Sequence, residues 1–79
     1  MWEVKDNALE RTFVFNNFIE AFAFMTKVAI ISEKYNHHPT WINTWNKVTI
    51  RLSTHDAGNI ITTKDEELAS SIDKLFNIN

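Results

Sequence analysis

A chain of 79 residues, 44% hydrophobic and without cysteine, fits one domain near the low end of independent stability and excludes disulfides or a thiolate zinc site as its support. Its net charge of −2, from eight Lys+Arg against ten Asp+Glu, comes with no block of basic residues, so direct nucleic-acid binding has no footprint here. No stretch approaches the roughly 20 apolar residues that span a membrane, and Met1-Trp2-Glu3-Val4 does not open a signal peptide,. The expectation is a single domain over residues 1–79 in a soluble, cytoplasmic protein.

Three Trp, six Phe and one Tyr must supply the core. That is a large apolar complement for so small a domain, and part of it is expected between subunits. Trp2 to Lys5 and Leu9 to Phe15 alternate around Asp6-Asn7 and predict a β-hairpin, with Arg11, Phe13 and Phe15 on one face and Glu10, Thr12 and Val14 on the other,. Asn16 or Asn17 can cap a helix from Phe18 to Tyr35,. Glu20, Lys27 and Lys34 recur every seven positions as one polar stripe. Phe18, Phe22, Met25, Ala29 and Ile30 form a broad face expected to pack on a sheet, while Phe24 and Ile31 flank the stripe,.

Trp41 to Trp45 and Val48 to Ser53 predict a second strand pair about Asn46-Lys47, with Val48, Ile50 and Leu52 pointing inward,. Trp45 reads as a core residue. His55 ends the fourth strand. Thr63-Lys64-Asp65-Glu66 reads as a capping box opening a second helix, which carries Leu68, Ala69, Ile72, Leu75 and Phe76 on one face,. The order ββαββα gives an α+β domain: a four-stranded antiparallel sheet with the helices packed on one face.

The residues that carry chemistry are the three histidines, His37, His38 and His55. Histidine is the side chain whose unperturbed pKa lets it exchange a proton near neutral pH. Neighbouring side chains diverge, so His37 and His38 cannot both lie flat against one core, and Pro39 makes the bend after them rigid. Glu33 stands one helical turn before His37, where a carboxylate could orient an imidazole. Asp56 follows His55 directly. From these residues alone three readings stay open: a polar surface loop, a zinc site using the histidines with Glu33 or Asp56, and a metal-free acid–base site.

The spacing Glu33-x-x-x-His37-His38-Pro39, then Trp45 six residues on, His55 ten beyond and Asp65 ten later, resembles the signature of the pterin-4a-carbinolamine dehydratases. Phe15-Asn16-Asn17-Phe18, Phe24-Met25-Thr26-Lys27-Val28-Ala29, Asn46-Lys47-Val48, Leu52-Ser53-Thr54-His55-Asp56 and Leu68-Ala69 carry the resemblance across nearly the whole chain. It implies dehydration of 4a-hydroxytetrahydropterin to quinonoid dihydropterin, in the recycling of tetrahydrobiopterin, with no metal and no organic cofactor. By the same resemblance His37, His38 and His55 line the pterin pocket and exchange protons, with His38 and His55 the main candidates. Glu33 would orient a histidine, Pro39 would shape the wall, Trp41 would pack against the pterin ring, and Thr54, Asp56 and Ala57 would contact it. Asp65 would contact substrate or stabilise the helix N-terminus. A homodimer or homotetramer is implied as well.

The chain also departs from its relatives. Trp45 stands where many have Tyr, Lys64 where the animal enzymes have Arg, and the stretch from His55 to Asp65 is one residue longer. Longer relatives carry an extra helix before the position of Trp2. The resemblance also implies a second class, a non-catalytic interaction module: animal relatives also act as a dimerisation cofactor of a homeodomain transcription factor, and some bacterial relatives have become assembly factors for another enzyme. Such degenerate members tend to lose the histidines that this chain keeps.

Overall fold

The computed structural model describes residues 1–78, so the last position of the expected domain, Asn79, lies outside the described residues. Strands β1 (Glu3–Lys5) and β2 (Ala8–Val14) form the expected hairpin. Asp6 and Asn7 both take positive φ, 51° and 63°, the backbone that a two-residue hairpin turn requires and that Asn and Asp tolerate best. Helix α1 (Phe18–Tyr35) follows. Asn17 is its cap, accepting the N–H of Glu20, while the Glu20 carboxylate accepts the N–H of Asn16.

Strands β3 (Thr40–Thr44) and β4 (Lys47–Leu52) form the second hairpin, and helix α2 spans Thr63–Asn77. The four strands make one antiparallel sheet in the order β1-β2-β4-β3, with β2 and β4 at its centre. Phe13 of β2 sits opposite Val48 of β4, and Leu9 opposite Leu52, so both central strands turn the same face to the helices. Val48, Ile50 and Leu52 are fully buried there with Phe13, Phe24, Val28, Leu68 and Ile72. Phe13 lies 5.0 Å from Phe24 and 5.1 Å from Phe76, ring centre to ring centre, the separations that aromatic pairs favour. Asp73 of α2 accepts the indole N–H of Trp2 (2.8 Å) and a guanidinium N–H of Arg11 (2.7 Å), which ties the first hairpin to the last helix.

Several expectations change, among them the turn of the second hairpin, which is Trp45-Asn46 and not Asn46-Lys47, because Lys47 already pairs with Thr44 in the sheet. The face of α1 that meets the core is Ala21, Phe24, Val28 and Ser32, roughly a quarter turn from the face expected. Phe18, Phe22 and Ile30 are exposed instead. Both faces are apolar, but Ala21 and Ser32 are small and let the helix approach closely. Trp45 is not core: it is 64% exposed and holds the left-handed end of the β3–β4 turn at φ 49°. The α2 cap is Thr62, one residue earlier than read, with Asp65 rather than Glu66 closing the capping box. Strand β4 ends at Leu52, and His55 opens a one-turn 3₁₀ helix over His55–Ala57.

Candidate active site

The end of α1 sets the first two histidines. Asn36 adopts the left-handed conformation, φ 50°, which lets its N–H bond the Glu33 carbonyl (3.0 Å) and the N–H of His37 turn back to the Ser32 carbonyl (3.0 Å). This closes the helix by using carbonyls that would otherwise lack partners. Beyond it the two rings part. The His37 side chain is only 11% exposed, and its Nε2 lies 2.6 Å from Oδ1 of Asp65. His38 stays outside, its Nε2 2.8 Å from Oε1 of Glu33. Glu33 thus meets the second histidine, not the one a helical turn away. Both partners of that pair are well exposed, so water screens it and it contributes little to stability.

The third histidine comes from the other side of the fold. After β4 the chain bridges Thr54 to Ile60, the Thr54 N–H donating to the Ile60 carbonyl at 2.8 Å. The 3₁₀ turn between them ends at Gly58, whose φ of 88° suits glycine,. Its N–H returns to the His55 carbonyl (3.0 Å), and the N–H of Asn59 to the Thr54 carbonyl (3.0 Å). His55 Nδ1 lies 3.3 Å from Oδ1 of Asn59. A loop that could have been mobile is closed by its own backbone.

Asp65 joins the two halves from behind. It is fully buried at the third position of α2. Its Oδ1 meets His37, while its Oδ2 accepts the Thr54 hydroxyl (2.8 Å) and the Thr62 N–H (2.8 Å). The Thr54 hydroxyl donates its one proton to Asp65, so in the 2.6 Å contact between Thr54 and Thr62 the Thr62 hydroxyl is the donor,. Thr62 Oγ1 in turn accepts the Lys64 N–H (3.3 Å). Burial works to raise the Asp65 pKa, but hydrogen bonds from His37, from the Thr62 N–H and from Thr54, with the charge of the His37 ring, outweigh it. The group is held below its ordinary value of 3.8,.

In front of this network lies a polar cleft of about 260 Å³, lined by Asn36, His37, His38, Ser53, Thr54, His55, Asp56 and Lys64. All three histidines therefore border one space, with Thr54 and Asp56 beside them. The other expected site residues stand elsewhere. Glu33 reaches the cleft only through His38. Pro39 is half-buried in the bend and outside the lining. Trp41 packs against the core on the inner face of the sheet, Ala57 is exposed in the 3₁₀ turn outside the lining, and Asp65 lies behind the lining.

Asn36 and Ser53 were not anticipated. An Asn directly after an apolar helical run signals a left-handed cap and could have placed Asn36; strand alternation gave no reason to single out Ser53. Among the described residues, no three His, Asp or Glu side chains converge to hold a metal ion. A second cleft, about 630 Å³, opens toward the other end of α1 over Phe15, Phe24 and Phe76. It has no histidine, and Glu20 and Lys27 are the titratable residues in its lining.

Known proteins share the sequence and the fold of this chain. The family model described as pterin 4 alpha carbinolamine dehydratase matches residues 1–75. A Prochlorococcus marinus (strain AS9601) protein provisionally named a pterin-4-alpha-carbinolamine dehydratase is 61% identical over 75 residues, covering 95% of this chain and 77% of the relative. The counterpart from strain MIT 9515 is 59% identical over the same length. Among solved structures, a transcriptional coactivator/pterin dehydratase from Brucella melitensis superposes with a TM-score of 0.88 at 37% identity, over 94% of this chain and 80% of that one. A pterin dehydratase-like protein identified as a RuBisCO assembly factor in the alpha-carboxysome superposes with a TM-score of 0.75 at 24% identity, over 95% and 86%. At that identity the likeness is one of fold.

Proposed function

The chain belongs to the pterin 4 alpha carbinolamine dehydratase family, and from that premise we propose that it is an active, cytoplasmic dehydratase that converts a 4a-hydroxytetrahydropterin to the quinonoid dihydropterin and water. The C4a–O bond breaks as an acid protonates the departing hydroxyl, and a base takes the N5 proton as the C4a=N5 bond forms. Positioned acids and bases typically supply about 10² to 10⁴ in rate each.

The observation that most supports this reading is that His37, His38 and His55 border one cleft, each with one ring nitrogen hydrogen-bonded to the protein. Each ring is thereby oriented and has its second nitrogen available. Thr54, Asp56 and Lys64 add polar groups on the walls, suited to the amide and amino edges of a pterin. Trp41, Pro39 and Ala57 lie outside the lining and would reach substrate only through a shift of the bend or the 3₁₀ turn.

The test is loss of the 4a-hydroxypterin absorbance after a hydroxylase turnover. Added protein is expected to accelerate it, and His38→Ala to remove most of the acceleration while leaving the fold intact, since His38 is exposed. No acceleration at micromolar protein would sink the proposal. The second reading is a non-catalytic dimerisation or assembly module. The exposed apolar residues of α1 give it support, and an inactive protein that captures one stoichiometric partner would put it first.

A further inference from the structure

We propose that Asp65 is the positioning residue of this site: it holds the His37 ring in the Nε2–H tautomer, leaving Nδ1 as the nitrogen through which His37 exchanges protons at the cleft. The geometry carries this independently of the reaction; only the catalytic consequence rests on the dehydratase reading.

The assignment follows from counting protons. Asp65 is an acceptor at every contact it makes: Oδ2 takes the Thr62 N–H, which can only donate, and the Thr54 hydroxyl. Its carboxyl is ionised at neutral pH, consistent with its depressed pKa and its place in the first turn of α2,. An ionised carboxylate has no proton to give, so the 2.6 Å contact with His37 requires hydrogen on Nε2. In the neutral ring Nδ1 then carries the lone pair. Among the described residues Nδ1 has no hydrogen-bond partner, and His37 lines the cleft.

The carboxylate cannot turn away. Oδ2 is tied to the helix cap and to Thr54, and the Thr54 hydroxyl is oriented in turn by Thr62. A buried carboxylate that fixes the tautomer and offsets the charge of an imidazolium acts on catalysis without touching substrate. The other titratable groups around the cleft, His38, His55, Asp56 and Lys64, form no hydrogen bond with Asp65 among the described residues, so His37 is the ring it governs.

Asp65→Asn makes the proposal testable because the amide is nearly the same shape. Two donors, from Thr54 and Thr62, demand the amide oxygen at the Oδ2 position. The amide NH₂ then faces His37, whose Nε2 must become an acceptor, and the proton moves to Nδ1. The experiment is long-range ¹H–¹⁵N correlation of the imidazole nitrogens in uniformly labelled protein, with His37→Gln identifying the His37 signals.

The wild type is expected to show the Nε2–H form of neutral His37, and Asp65→Asn the Nδ1–H form. In the dehydratase assay kcat is expected to fall by about 10² to 10⁴ with KM changed less than several-fold. A wild-type His37 in the Nδ1–H form overturns the proposal, and this needs no variant to fold. So does an unchanged tautomer in Asp65→Asn, or a switched tautomer with kcat unaffected. A wild-type protein without dehydratase activity would refute the functional reading, while the spectra would still decide the positioning.

Discussion

Asp65→Ala should be among the most damaging single substitutions in this chain, and the structure says by how much and at which pH. The change strands three donors: the His37 Nε2–H, the Thr54 hydroxyl and the Thr62 N–H. A buried donor left without a partner costs about 1 to 3 kcal/mol. The Thr54 hydroxyl can rotate toward Thr62, and the His37 ring is 11% exposed, so neither loses its full share; the Thr62 N–H, the half of the capping box that Asp65 closes, loses its partner outright,. A net loss of about 3 to 5 kcal/mol results from the three donors together. A domain of this size has roughly 4 to 12 kcal/mol in total.

The pH dependence has a definite sign. The folded-state pKa of Asp65 lies below its ordinary 3.8, so the stability from its ionisation is fully present above 3.8 and drains away as the pH falls through the depressed value. Urea unfolding followed by tryptophan fluorescence at pH 7, 5 and 3 should show a gap between wild type and Asp65→Ala that is widest at the two higher values and narrows at pH 3. A loss below 1 kcal/mol at pH 7, or a gap that ignores pH, would refute the account of this network.

Two further outcomes follow from burial and exposure. The Ser32 hydroxyl is buried on α1 with no hydrogen-bond partner among the described residues, so Ser32→Ala should raise the unfolding free energy by about 1 to 2 kcal/mol, read as a higher urea midpoint at an unchanged slope, from a relieved orphan and better helix propensity; a lower midpoint would mean the hydroxyl is bonded. Phe18, Ile19, Phe22 and Ile30 leave an apolar face of α1 in solvent, which we read as the contact between copies of the chain. Sedimentation at high micromolar concentration should find a dimer or tetramer in the wild type and monomer in the Ile19→Glu/Ile30→Glu double variant. A wild type that is already monomeric would remove that reading.

The sheet was legible in the sequence because its signals are local and redundant. Val48, Ile50 and Leu52 alternate with Thr49 and Arg51 along one strand, and a one-residue slip would have turned every one of them outward. The orientation of α1 was not legible for the opposite reason. Outside its polar stripe α1 carries apolar residues in most directions, so hydrophobicity could not say which arc meets the core. The deciding property was size: Ala21 and Ser32 let the helix close on the sheet, where Phe18 and Phe22 would hold it off. Trp45 failed likewise, since an indole predicts burial until the turn that carries it takes a left-handed backbone at the tip of a hairpin.

The site shows the same division more sharply. That His37, His38 and His55 share one space was implied by the family resemblance and not by residue types alone, and all three do border one cleft. Which carboxylate serves which histidine could not be read from spacing, because the one-turn rule that links Glu33 to His37 holds only while the helix lasts. Asn36 ends it in the left-handed conformation. That single residue sends His37 inward to a partner 28 positions away and leaves Glu33 to the exposed His38. Asp65 could be that partner only because the cap falls at Thr62: with the cap at Thr63, the carboxylate at the third helical position would belong to Glu66. One residue of register in a helix cap thus selects which acid stands behind the histidine.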